Sequence, residues 1–243
     1  MKLNLRAGST PALGTNQYQH VMTISTHTIN ETPYHVRGAH PKLLILSGTH
    51  GDEPEVDTCV ARYIDTHQSE LSDYVYIPKL SPSAVALKTR RNKYGNDLNR
   101  EFIHKPTDRE VIVAMKILEP FSFSLCIAFH EDPDRSISFY MYDTHHMSNA
   151  QLLTYQDAII KTGAKLFTGI DDPADKKLAL HIEKGYIHTP ILGTHDTGFS
   201  MRYLIAEQKA QRVFNPEIPG RAHIDLKQRL VDSIFEYSKI FVE

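Results

Sequence analysis

A histidine and a glutamate with the spacing of metal ligands follow an apolar run near the start of the chain. His50 and Glu53 come directly after the run 43–46, which ends at Ser47-Gly48. An apolar run that stops at glycine predicts a buried strand, and open α/β sheets bind their ligands in the loops at the carboxyl ends of strands. A neutral imidazole and a carboxylate three residues apart are suitable ligands for a borderline-soft ion such as zinc.

The spacing alone is weakly specific, because a chain with 14 histidines contains His-x-x-Glu pairs by chance. A second pair, His67 and Glu70, falls at the end of a predicted solvated helix, where such residues are common. Only His50 and Glu53 follow a predicted strand, so we take this pair as the candidate.

Two more candidates lie at the ends of other apolar strands. His130 follows the run 125–129 as His50 follows its own strand. Together with Glu53, the two histidines would form a three-ligand site with a fourth position open to water, which is typical of catalytic zinc. The alternative for His130 is a histidine at the core that bonds a backbone group. Glu217, between two prolines, is either a capping or surface residue or a general base.

One polar loop between predicted elements is rich in arginine. It contains Arg90 and Arg91 in Thr-Arg-Arg-Asn, and then Asn99 and Arg100 in Asp-Leu-Asn-Arg. Guanidinium groups pair with carboxylates through two hydrogen bonds and stabilise oxyanions. A solvated basic loop is the alternative.

Composition excludes several classes of protein. The chain has 243 residues, of which 41% are hydrophobic and 23% charged, as in ordinary soluble domains. The net charge of −2 gives no electrostatic reason to bind nucleic acid or an anionic membrane. No apolar stretch is long enough to cross a membrane, and residues 1–6 lack the apolar core of a secretory signal. We therefore expect a cytoplasmic protein, with Cys59 and Cys126 as buried structural thiols.

Strands and helices alternate along the chain. Strands are predicted at 20–25, 33–37, 42–47, 74–78, 124–129, 136–142 and 212–217. Helices are predicted at 55–67, 107–118, 150–161, 198–208 and 222–241, with a short one near 175–184. Thr107 is the predicted N-cap of the second helix, with Glu110 completing a capping box. The alternation predicts an α/β fold in one domain, residues 1–243, whose central mixed, largely parallel twisted sheet has helices on both faces. Residues 1–40 would add an N-terminal β-hairpin.

In combination, the motifs resemble those of the zinc carboxypeptidase superfamily, which includes the succinylglutamate desuccinylase/aspartoacylase branch. They are Gly-Thr-His-Gly-Asp-Glu at 48–53, Asp-Leu-Asn-Arg at 97–100, a strand followed by His-Glu at 130–131, and Pro-Glu-Ile-Pro at 216–219. Their order and spacing match from about residue 42 to the end of the chain. The resemblance implies a zinc carboxypeptidase-like fold.

The resemblance also implies a role for each candidate. One zinc ion would be bound by His50, Glu53 and His130. Glu217 would be the general base and acid, Arg90 would polarise the scissile carbonyl, and Asn99 with Arg100 would hold the terminal carboxylate of the substrate. Arg90 is preferred to Arg91 because it follows Thr89, as in the Thr-Arg pattern of the family.

These roles predict a zinc-dependent hydrolase that cleaves an amide bond next to a free carboxylate. The substrate would be a small peptide or an N-acyl amino acid. The desuccinylase/aspartoacylase branch carries a further β-domain after its catalytic glutamate, whereas one predicted helix follows Glu217. We therefore expect a metallocarboxypeptidase that acts on small or cell-wall-type peptides, with an N-acyl-amino-acid deacylase as the alternative.

Three further alternatives stay open. The chain could be a non-catalytic relative that binds a metal and a carboxylate, although structural zinc sites fill all four positions and often use cysteine. A second metal could bind acidic residues at the same strand ends, namely Asp52, Glu131, Asp132 and Asp134. Arg202, in a predicted helix, would favour an acidic side chain in the substrate or would simply be solvated.

Overall fold

Apolar runs form the middle of a ten-stranded sheet in this computed structural model, which describes residues 24–171, 180–189 and 197–242. The segments Leu43–Leu46 and Tyr74–Ile77 are buried at every position. Strands that are covered on both faces need such continuous apolar sequences, because neither face meets water. These two segments are therefore interior strands.

The bounds of the elements follow the apolar pattern of the sequence. The strands are β1 (Ile24–Ile29), β2 (Thr32–Arg37), β3 (Leu43–Leu46), β4 (Tyr74–Ile77), β5 (Phe123–Ala128), β6 (His130–Asp132), β7 (Ser138–Asp143), β8 (Lys165–Leu166), β9 (Gly169–Ile170), β10 (His181–Ile182), β11 (Tyr186–His188) and β12 (Ala210–Pro219). The helices are α1 (Pro54–Thr66), α2 (Pro82–Leu87), α3 (Arg109–Leu118), α4 (Asn149–Lys161), α5 (Ser200–Ala206) and α6 (Ile224–Ser238). Short 3-10 turns occupy Leu98–Arg100 and Lys239–Phe241. Within the described ranges, no helix has the length and apolar character that a membrane crossing requires.

The sheet is mixed, with a parallel centre. Its order is β1-β2-β4-β3-β5-β12-β7-β11, with β6 beside β12 and β8 beside β7. Strands β4, β3, β5 and β12 run parallel to one another. Strand β2 is antiparallel to β4, and β7 is antiparallel to β12. Strands β9 and β10 form a separate antiparallel pair.

Helices cover both faces of the sheet. Leu43 and Ile45 point into one core, which α1, α4 and α6 complete. Leu44 and Leu46 point into the other core, where they join α3 and α5. The predicted fold class is therefore confirmed, while the domain bounds 1–243 stay a prediction. Cys59 and Cys126 are buried free thiols in these cores, as expected.

The order of the strands reverses beside β3. From β3 the chain passes through α1 to β4 on one side, whereas β5 pairs on the other side of β3. In an open α/β sheet, such a switch point leaves a crevice at the carboxyl ends of the two strands. The segments that follow β3 and β5 begin at this crevice.

Some predicted elements are shifted. The first strand is Ile24–Ile29 rather than 20–25, and positions 20–23 lie outside the described residues. Its hairpin turns at Asn30 and Glu31, whose φ angles of 43° and 74° suit a two-residue loop that matches the strand twist. Residues 175–179 of the predicted short helix also lie outside the described ranges, and His181–Ile182 is a strand.

Candidate metal centre

The loop after β3 carries His50 and Glu53 to the crevice. Gly48 adopts a φ of +64°, and a Cβ atom there would lie 2.7 Å from the carbonyl oxygen of Pro78. Gly51 passes still closer to the backbone, since a Cβ atom there would lie 1.8 Å from the carbonyl oxygen of Ala84. Only glycine permits these two approaches, so the glycines of the motif shape the loop.

Two imidazole rings meet one carboxylate at this point. Nδ1 of His50 lies 2.5 Å from Oε1 of Glu53, and Nδ1 of His130 lies 3.1 Å from Oε2. One ligand atom from each of the three residues lies within 4.8 Å of the others, and all three side chains are buried. Two nitrogens and a carboxylate are the donor set of many catalytic zinc sites. The residues therefore fit a divalent cation.

The electrostatics of the three residues favour a cation between them. Burial disfavours the charged form of Glu53, but His130 and His50 outweigh it and hold the pKa of Glu53 well below its usual range. Burial likewise disfavours protonation of His50, yet Glu53 and Asp97 raise the pKa of His50 to about 9. The buried carboxylate is thus stabilised by positive charge beside it, which a bound divalent cation would supply.

Asp97 orients the ring of His50. Its Oδ1 atom lies 3.0 Å from Nε2 of His50 and also accepts a hydrogen bond from the backbone nitrogen of Asn99. An ionised carboxylate only accepts hydrogen bonds, so Asp97 holds a proton on Nε2, and Nδ1, which faces Glu53, is the nitrogen that a metal would take. Asp97 was missing from the predicted site, although its place in Asp-Leu-Asn-Arg was the available signal.

A pocket of about 630 Å³ opens onto the three residues. It is also lined by the candidates Arg90, Arg91, Asn99, Arg100, Arg202 and Glu217. Candidates separated by more than one hundred positions in the sequence therefore share one cavity. A cavity of this size suits a small ligand.

The two neighbouring arginines of the loop differ in orientation. Arg90 donates from Nε to Oδ2 of Asp97 at 3.0 Å, and its Nη1 lies 3.9 Å from Oε1 of Glu53. Burial disfavours its charge, but Asp97 and Glu53 more than offset this and raise the pKa of Arg90. Arg91 donates to the carbonyl oxygen of Gly95 in its own loop. Arg90 is therefore the arginine that faces the candidate metal centre.

The amide of Asn99 is held in one orientation. Its Oδ1 atom accepts hydrogen bonds from the backbone nitrogen and the hydroxyl group of Ser200, at 2.9 and 3.0 Å. Because Oδ1 faces Ser200, the Nδ2 group, which is the donor of this amide, points away from Ser200. Arg100 donates to the backbone oxygen of Asn99 and stacks on Phe199, with 4.4 Å between the guanidinium carbon and the ring centre.

Glu217 stands on β12, next to the strand that carries the candidate ligand His130. It pairs with His130 on β6 and with Tyr140 on β7 in the sheet register. Its Oε1 atom accepts a hydrogen bond from Nδ2 of Asn215 at 2.9 Å. Burial among protein atoms raises the pKa of Glu217 well above its usual value, and the carboxylates of Glu53 and Asp171 add to the rise. This carboxyl group therefore takes up a proton more readily than a solvated one.

Comparison with solved structures shows which fold the chain has. No protein-family model and no curated protein sequence matches the chain. A provisionally named metallopeptidase from Shewanella baltica OS155 superposes with a TM-score of 0.69 at 19% identity, over 90% of this chain and 86% of that one. The chain has a carboxypeptidase-like fold.

Two more structures share this carboxypeptidase-like fold. A metallo-carboxypeptidase from Burkholderia cenocepacia matches with a TM-score of 0.58 at 14% identity, over 90% of this chain and 65% of that one. A succinylglutamate desuccinylase/aspartoacylase from Rhodobacter sphaeroides matches with a TM-score of 0.57 at 15% identity, over 91% and 65%. The fold that the motif resemblance implied is thus confirmed.

The carboxypeptidase-like fold also brings to the pocket residues that sequence patterns missed. Tyr140 and Tyr142 line it from β7, and both hydroxyl groups bond the carboxylate of Asp171. The Tyr140 hydroxyl also lies 2.9 Å from Oδ2 of Asp132. The only signal in the sequence was the alternation of the two tyrosines along one strand, which places them on the same face.

Not every candidate joins this site. The ring of His67 stacks on Tyr63 at 4.2 Å, and Glu70 pairs with Lys239 at 3.4 Å, so the second His-x-x-Glu pair contributes nothing to the pocket. Arg202 does line the pocket, and within the described ranges its guanidinium group makes no hydrogen bond or ion pair with protein.

Proposed function

We propose that the chain is a zinc-dependent hydrolase that cleaves an amide bond next to a free carboxylate. In this proposal it is a metallocarboxypeptidase acting on small or cell-wall-type peptides. One observation carries it: the buried group formed by His50, Glu53 and His130 opens onto a pocket that Glu217 and Arg90 also line. Metal ligands, a carboxyl group with a raised pKa and a cation in one cavity are the parts that amide hydrolysis needs.

His50, Glu53 and His130 would hold the ion. Three protein ligands leave a coordination position open, as in catalytic rather than structural sites. When bound, zinc would supply Lewis-acid polarisation of a carbonyl group and a lowered pKa for water. By holding a proton on Nε2 of His50, Asp97 would direct Nδ1 to the bound metal.

Glu217 is proposed to move the proton. The raised pKa of its carboxyl group brings proton uptake and release closer to neutral pH, which is where a general base and acid works best. Its pairing with His130 in the sheet register keeps the carboxyl group beside the ligands. It would take a proton from the attacking water and return it to the leaving amine.

The remaining polar groups would bind and orient the substrate. Arg90 has Nε fixed on Asp97, which leaves its other nitrogens to donate to the scissile carbonyl oxygen as negative charge develops there. Asn99 presents Nδ2 as a donor because its oxygen is held by Ser200. Arg100 lies next to it, and a guanidinium with an amide donor can bind a terminal carboxylate.

The first test combines metal content with product release. Wild type, His50→Ala and the matched control His67→Ala are analysed by mass spectrometry for metal. They are then incubated with peptides and N-acyl amino acids, and free amino acids are quantified. We expect about one zinc per chain in wild type and control, loss of the metal in His50→Ala, and release that a chelator abolishes.

Each outcome has a definite meaning. Release from peptides would support the carboxypeptidase, whereas release from N-acyl amino acids would select the deacylase alternative. A wild-type protein that binds no metal would refute the zinc hydrolase. Metal binding without any turnover on the panel would favour a non-catalytic relative that binds a metal and a carboxylate.

A further inference from the structure

A lysine is fully buried behind the candidate metal centre. Lys227 of α6 has 0% of its surface exposed. Its Nζ atom lies 2.6 Å from Oε2 of Glu131, 2.6 Å from Oε2 of Glu55 and 2.7 Å from the carbonyl oxygen of Gly220. An ammonium group has three N–H donors, so each donor has one acceptor. Burial of a charge is unfavourable unless it is paired in this way.

Glu131, the first partner of Lys227, connects the chain segments that carry His130 and Glu53. Glu131 follows His130 directly, and its Oε1 atom accepts a hydrogen bond from the backbone nitrogen of Val56 at 2.6 Å. The backbone nitrogen of Glu131 donates to Oε2 of Glu53 at 3.2 Å. Glu131 therefore joins β6 to the first turn of α1, where Glu53 precedes the helix.

The other two partners extend the connection. Glu55 belongs to the same first turn of α1, two residues after Glu53. Gly220 follows β12, the strand that carries Glu217, and its backbone nitrogen donates to the carbonyl oxygen of Asp132 at 2.7 Å. One ammonium group thus contacts all three segments that bear Glu53, His130 and Glu217.

We propose that Lys227 is a positioning residue, which sets the mutual spacing of Glu53, His130 and Glu217 by binding the segments behind them. This proposal rests on the metal centre of the proposed function. The three acceptors belong to three different chain segments, and the ammonium group of Lys227 contacts all of them at once. Hydrogen-bonded groups behind metal ligands fix the orientation of those ligands, and removal of such groups typically weakens metal binding by about 10- to 100-fold.

The decisive variant is Lys227→Met, which keeps the length of the side chain and removes the charge. Two controls share its helix. Gln228→Ala removes a bond of 3.2 Å to the carbonyl oxygen of Cys59, which lies in α1 beyond the first turn that Lys227 binds. Leu230→Ala opens the core at a fully buried position and so reproduces a loss of stability alone.

The measurements are the affinity for Zn²⁺ by chelator competition and the visible absorption spectrum of the Co²⁺ form. We expect Lys227→Met to bind Zn²⁺ about 10- to 100-fold more weakly and to change the Co²⁺ spectrum. Gln228→Ala and Leu230→Ala should keep both properties, even where Leu230→Ala melts at a lower temperature. Wild-type affinity and spectrum in folded Lys227→Met would overturn the proposal.

A second variant keeps the test decisive if Lys227→Met does not fold. In Glu131→Gln, the amide oxygen serves only one of the two donors, so Lys227 or Val56 loses its partner while the shape is kept. The same loss of affinity and spectral change are expected, and an unchanged site would refute the positioning role. If wild type itself bound no Zn²⁺, the proposed function would fail first, so the two failures are distinguishable.

Discussion

Asp97→Asn should weaken metal binding without unfolding the protein. Asp97 is 8% exposed and meets three donors: Nε2 of His50, Nε of Arg90 and the backbone nitrogen of Asn99, each at 3.0 Å. The substitution keeps the size of the side chain. It replaces one acceptor oxygen by an NH₂ group and removes the negative charge.

The expected loss follows from these contacts. In either orientation of the new amide, His50 loses its hydrogen bond to a charged acceptor, because Nε2 then faces either a neutral amide oxygen or an NH₂ group. A hydrogen bond to a charged group contributes about 1.5–3 kcal/mol. Since about 1.4 kcal/mol corresponds to a factor of ten, the affinity for Zn²⁺ should fall roughly 10- to 150-fold. The proton on Nε2 of His50 would no longer be fixed by an anion.

Chelator competition with Zn²⁺ measures the effect, and thermal unfolding of the metal-free proteins confirms that each variant folds. The matched control is Asp134→Asn, the same chemical change in a carboxylate that lines the same pocket. Asp134 is 82% exposed and pairs with Arg221 on the surface, so its loss should leave affinity unchanged. Equal affinities of Asp97→Asn and wild type would refute the orienting role of Asp97.

Three further substitutions test other parts of the structure. Glu217→Gln should retain the metal but lose turnover by several orders of magnitude, measured as amino acid release, and a near-wild-type rate would remove Glu217 from its role. Arg202→Ala should lower the preference of the enzyme for acidic over neutral substrates, and unchanged selectivity would contradict the role of Arg202 in specificity. The guanidinium group of Arg202 bonds no protein group in the described ranges. The free energy of unfolding should therefore change by less than about 0.5 kcal/mol. Asp143→Ala leaves the guanidinium group of Arg212 without its fully buried partner and should lower the free energy of unfolding in urea by about 3–5 kcal/mol. Its control is the exposed Asp225→Ala, and equal stability of the two variants would refute the estimate.

The parts of the fold that local sequence determines were predicted well. The run 43–46 is apolar at every position, and it forms a strand because both faces of the sheet there are covered. The loop after this strand was predicted as well, since Gly48 ends the apolar run and Gly51 lies between His50 and Glu53. In such segments the pattern and the tertiary structure require the same residues.

Prediction was weakest where a distant contact decides between two local options. Thr107 and Asp108 are both suitable N-caps, but Asp108 caps α3 by accepting hydrogen bonds from the backbone nitrogens of Glu110 and Val111. The side chain of Glu110 does not complete a capping box. It accepts hydrogen bonds from Ser81 and Ser83 instead. The predicted capping box was therefore wrong, because a contact across about thirty positions outweighed a local one.

The candidate metal centre depends on which strands are neighbours, not only on which residues follow a strand. The sequence marks polar residues after several apolar strands, but it does not say which strands are neighbours. Here β5 pairs with β3 on the side opposite to β4, and this single choice brings His130 to Glu53. A buried carboxylate at that point is stable only with positive charge beside it. Buried charges need partners of opposite charge, which also explains why Lys227 is buried beside Glu55 and Glu131, behind the candidate metal centre. The stability of the fold and the geometry of the candidate metal centre therefore depend on the same few charges.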